Sequence, residues 1–73
     1  MHRRLTAIVE CEGDGYVAFC PEVDVVSQGA TVSEARGNLV EALTLFFESA
    51  SACEVERRLY EEVYVTQIEV AVG

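Results

Sequence analysis

The chain has 73 residues, 51% of them hydrophobic, with thirteen acids against five bases for a formal charge of -8. That length allows one domain, residues 1–73, which buries only about 60% of the surface its unfolded chain exposes. The acidic balance disfavours nucleic acid, whose phosphates must be neutralised by Lys and Arg. The apolar content is too high for disorder.

Residues 4–11 alternate as a strand. Leu5, Ala7, Val9 and Cys11 lie on one face, and Thr6, Ile8 and Glu10 on the other. Asp14-Gly15 is a strong hairpin signal, because both central residues of a type I′ turn need positive φ. It leads into a partner strand over 16–20, and a two-residue loop there sets Glu10 opposite Phe19, Cys11 opposite Ala18 and Cys20 opposite Val9. Pro21 cannot donate to a ladder and ends the strand. A short β-branched third strand covers Val23 to Gln28. Thr31 is then an N-cap with Glu34 completing a capping box, and the helix runs from Val32 to Ser49. Its core stripe is Ala35, Leu39, Ala42, Leu43 and Phe46. A polar, small-residue loop with room for a helical turn spans Ser49 to Glu56, and Val63 to Val72 alternates as a last strand. A right-handed crossover would bring that strand parallel to the first and beside it. The fold class is α+β, a two-layer β-β-β-α-β arrangement with a mostly antiparallel sheet and one helix on one face.

Chemistry is sparse. The carboxylates Glu10, Glu12 and Asp14 at the first turn, with Glu22 and Asp24 at the next connection, invite a metal reading. Paired catalytic carboxylates need a pocket to shift their pKa values, and solvated hairpin tips and strand ends explain these acids better. The alternatives to a partner-neutralising module are a stand-alone oligomeric regulatory or structural protein of unknown partner and, weaker, a divalent-metal nuclease using Glu10, Asp14 and Glu22 or Asp24. Cys11, Cys20 and Cys53 have no paired spacing, and the single His2 stands beside Met1. No catalytic set, metal site or cofactor is expected, and the chain reads as not an enzyme. Free, mostly buried thiols, no signal peptide and no membrane-spanning run suggest the cytoplasm. The apolar surplus instead points to association. Ile8, Val17, Phe19, Val40 and Phe47 are expected at a homo-oligomer interface, dimeric or higher, with Tyr60 and Tyr64 adding to the excess. Glu22 and Asp24, at an exposed connection, are the candidate contacts to a basic partner.

Four stretches carry a family resemblance. They are Leu5-Thr6-Ala7-Ile8-Val9-Glu10, the run Asp14-Gly15-Tyr16-Val17-Ala18-Phe19-Cys20-Pro21-Glu22, Val26-Ser27-Gln28-Gly29, and Thr31-Val32-Ser33-Glu34-Ala35 followed by Asn38-Leu39-Val40-Glu41-Ala42-Leu43. In order and spacing they resemble the N-terminal domain of the HicB antitoxin family over about residues 4–48. The resemblance implies a truncated RNase H-like fold without its catalytic carboxylates. It also implies a partner, a small basic HicA-type toxin that cuts messenger RNA. Family antitoxins continue into a DNA-binding segment; this sequence stops at Gly73, so a stand-alone form without direct nucleic-acid binding is expected.

Overall fold

The computed structural model describes residues 4–58 and 63–73, which leaves His2 and Tyr60 outside it. Three strands, β1 (Ile8–Glu12), β2 (Gly15–Cys20) and β3 (Val25–Gly29), are followed by helices α1 (Val32–Ser49) and α2 (Ala52–Arg58). The strands form one antiparallel sheet in the order β1-β2-β3 with α1 against one face, which makes the fold α+β.

The first hairpin turns one residue earlier than expected. Glu12 pairs with Gly15, and Gly13 takes the positive φ of 59°. Asp14 does not share that positive φ. A glycine at the first central position alone is the pattern of a type II′ turn. The register moves with it, so that Glu10 faces Val17 and Cys11 faces Tyr16. A shift of two leaves every side chain on its expected face, because the side-chain period is two. It does separate Cys11 from Cys20. The partner of Cys11 is four residues from Cys20 along β2, on the order of 13 Å, well beyond disulfide reach.

Strand β1 starts at Ile8, not at residue 4. In this register Thr6 would sit opposite Pro21, which has no N–H for the ladder. Strand β3 starts at Val25, and Val23 and Asp24 belong to the connection from β2. Asp24 has φ 56°, a left-handed conformation that Asp tolerates better than most residues.

Helix α1 has the expected bounds. Glu34 N donates to Thr31 Oγ1 at 3.0 Å, and Glu34 Oε1 reaches back to the amide of Ala30 at 3.2 Å, one residue before the cap itself. Ala35 and Leu39 are buried with Ala18, Cys20 and Val23, and Leu43, Phe46 and Phe47 pack on this cluster. The helix lies over β3 and β2 and barely reaches β1. That offset leaves Cys11 exposed, contrary to the expectation of mostly buried thiols; only Cys20 is buried.

The C-terminal half departs from expectation in one respect and extends it in another. The helical turn expected after Ser49 is a full second helix, α2, begun by Ser51 Oγ accepting from Glu54 N at 3.1 Å. Residues 63–73 form no strand and lie almost wholly exposed. The expected crossover onto β1 is therefore not made within the chain. A strand needs an edge to pair with, and the segment meets none here.

Candidate protein-interaction surface

The sheet has two unlike faces. Val9, Tyr16, Ala18, Cys20 and Val25 point toward α1 and belong to the core. The opposite face is not covered by the helix. Across it Ile8, Phe19 and Val26 stand in register, one from each strand, as an apolar row. The next row toward the hairpin is Glu10, Val17 and Gln28. Ile8, Val17 and Phe19 are half-buried and Val26 is exposed, so this face combines an apolar strip with acidic flanks at Glu10 and Glu12. A shallow open depression lies at the hairpin end, lined by Glu12, Val17, Gln28 and Glu34 among others. Its charged lining residues are both carboxylates.

The five residues expected at an oligomer interface do not form one patch. Ile8, Val17 and Phe19 share the open sheet face. Val40 lies exposed on α1, on the other side of the sheet. Phe47 packs against the core and meets Phe46 edge to face, with ring centroids 5.2 Å apart.

The two candidate partner carboxylates also differ. Asp24 is exposed. Glu22, expected at the surface, is half-buried and satisfied internally. Thr6 N donates to its two oxygens at 3.0 and 2.9 Å, Thr6 Oγ1 to Oε2 at 2.6 Å, and the Cys20 thiol to Oε1 at 3.3 Å. This cluster ties the chain entering β1 to the connection leaving β2 and replaces the ladder bond that Pro21 cannot make. No local spacing signals it, because Thr6 and Glu22 are sixteen residues apart. A second tie of this kind, Asn38 Nδ2 to the Gln28 carbonyl at 2.8 Å, anchors α1 to β3.

Burial opposes ionisation of Glu22, but hydrogen bonds from the Thr6 hydroxyl and amide, with smaller help from its own backbone amide and the Cys20 thiol, outweigh it and hold the carboxyl below its ordinary value. Burial pushes the Cys20 thiol up, and the Glu22 hydrogen bond and charge add to that, so this sulfur is not a reactive thiolate. A lowered carboxyl pKa contributes stability that is present above the unfolded-state value and is lost as pH falls through the folded one. Glu22→Gln is therefore expected to lower stability near neutral pH by about 1.5–3 kcal/mol, the usual worth of hydrogen bonds to a charged group. The gap from the parent should close once the pH drops below the carboxylate range. Urea titrations of both proteins at neutral and acid pH check this, and a gap independent of pH would contradict it.

A shared metal among the suspected carboxylates is geometrically remote. Asp14 and Glu22 lie at opposite ends of β2, whose six residues span on the order of 20 Å. Among the described residues, no three His, Cys, Asp or Glu side chains converge. Among those residues, too, no helix is long and apolar enough to cross a membrane.

No family model matches the chain. No solved structure matches it either. Among curated proteins, the UPF0150 protein ssl0738 of Synechocystis sp. is 41% identical over 64 residues, covering 85% of this chain and 88% of that one. With that identity sustained over nearly the full length of both proteins, the chain belongs to the UPF0150 family.

Proposed function

We propose that this domain is a non-enzymatic protein-interaction module of HicB antitoxin type, whose open sheet face binds and neutralises a small basic toxin of HicA type. The row Ile8, Phe19 and Val26 carries the reading: it is an apolar strip that the protein's own helix leaves uncovered. Glu10 and Glu12 flank it on a chain of charge -8. Apolar contact with such a strip supplies affinity, and acidic flanks steer a basic partner while repelling acidic ones. The run from Asp14 to Glu22 and the Thr31-capped helix, which resemble HicB antitoxins, add the kind of partner. A truncated RNase H-like ancestry and a cytoplasmic location accord with the same resemblance. The module works by occupying its partner, so no cofactor is involved.

The test is co-expression with the HicA-type protein encoded nearest to it. Growth should be restored and the two should comigrate as a stable complex. Phe19→Asp, on the open face and away from the core, should abolish both while leaving the domain folded by circular dichroism. Continued toxicity with no complex, or full protection by Phe19→Asp, would sink the proposal.

A further inference from the structure

The stretch 63–73 is the least explained part of the molecule. It alternates apolar residues at the period of a strand, with Tyr64, Thr66, Ile68, Val70 and Val72 on one face. Yet Tyr64 is 81% exposed, Ile68 82% and Val72 94%. Unpaired backbone and solvated β-branched side chains together are a costly way to end a small domain.

The whole chain shows the same surplus. Its accessible surface is 6031 Å², whereas a compact protein of 8.0 kDa exposes about 4,450 Å². Its radius of gyration is 14.1 Å against about 11 Å for a compact chain of this length. The excess of roughly 1,600 Å² is about twice the roughly 800 Å² that each partner commits to an ordinary stable interface.

The sheet offers two edges, and they are not equivalent. On β3 the Gln28 carbonyl is already taken by Asn38, and α1 packs closely along the strand. On β1 the helix barely reaches, Cys11 on the helix-side face is exposed, and among the described residues no strand pairs with the outer edge. An incoming strand on β1 would widen the sheet under the flank of α1 and shield its own apolar face there.

We infer that residues 63–72 of a second copy of this chain add as a strand to the open edge of β1, and that the exchange is reciprocal, giving a two-fold dimer with two four-stranded sheets. Reciprocity closes the assembly: each copy gives one strand and receives one, and no β1 edge is left to recruit a third. A four-stranded sheet buries in trans what the single chain leaves in water. The open face with Ile8, Phe19 and Val26 stays free, so this assembly is independent of the toxin-binding reading.

Light scattering in reductant, which removes any cross-linking through exposed Cys11 and Cys53, should give about twice the monomer mass. Ile68→Asp, in a segment that touches no core residue, should give a folded monomer. In a dimer refolded from separately 15N- and 13C-labelled chains, contacts should appear between the tail of one label and Ile8–Glu12 of the other. Amides of 64–72 should exchange at least 100-fold more slowly than unpaired ones. A monomeric parent, a dimer that survives Ile68→Asp, or tail-to-β1 contacts confined to one label would each overturn the assignment.

Discussion

Leu39→Ala is expected to cost about 2–5 kcal/mol, the range for a large-to-small change in a core. Leu39 is 1% exposed and is the largest of the fully buried side chains. The rest of the buried cluster is Ala18, Cys20, Val23 and Ala35, short or stiff side chains with little freedom to swing into the vacated space. The cost should therefore fall in the upper part of the range, since it grows with the cavity left unfilled. A domain of this size has only roughly 4–11 kcal/mol in total. Urea denaturation should show the midpoint falling by about half or the transition disappearing. A loss below about 1 kcal/mol would mean that the helix does not sit on the sheet through this residue.

Gly29→Ala should be nearly as damaging, for the opposite reason. A Cβ at that position would lie 2.5 Å from the nitrogen of Ala35, 2.8 Å from the carbonyl carbon of Glu34 and 3.0 Å from Cα of Ala35. All three are backbone atoms of the first turn of α1, and no rotamer change can move them. The helix must lift from the end of β3, and overpacking of this kind costs about 1–3 kcal/mol. Gly37→Ala, in the middle of α1, provides the contrast. Nothing lies within 4 Å of its added methyl, so the intrinsic helix preference acts alone and should stabilise by about 1 kcal/mol. Chemical denaturation of the two variants side by side should give opposite signs, and a shared sign would refute the packing described for Gly29.

What the sequence made legible were the features whose physics is local. The bounds of α1 follow from the Thr31 cap and the spacing of Ala35, Leu39 and Leu43, and both are contained within a few residues. The faces of β1 and β2 survived a wrong choice of turn, because parity is unaffected by a shift of two. The turn itself was ambiguous, with glycines on both sides of Asp14 and either pair able to close a hairpin. Interactions across the fold left no trace in spacing. The Thr6–Glu22 cluster and the Asn38–Gln28 tie exist only once the sheet is built. Of the candidate surface, Ile8, Val17 and Phe19 could be grouped by alternation alone. That Val40 lies across the sheet and Phe47 packs inward depends on how far α1 is rotated and displaced toward β3. The alternation in 63–72 predicts a strand that the described structure does not form, because period-two patterning says nothing of whether an edge is within reach.

Strand order in this sheet follows chain order, and α1 comes directly after β3. Each strand thus pairs with its neighbour in sequence and the helix follows directly the strand it packs on most, a connectivity of the kind that favours fast folding. The body of the protein can assemble from one molecule in a fast step whose rate ignores dilution. Completion of the sheet by a second molecule must wait for an encounter and will speed up with concentration, so refolding should split into two kinetic phases that a simple dilution series separates.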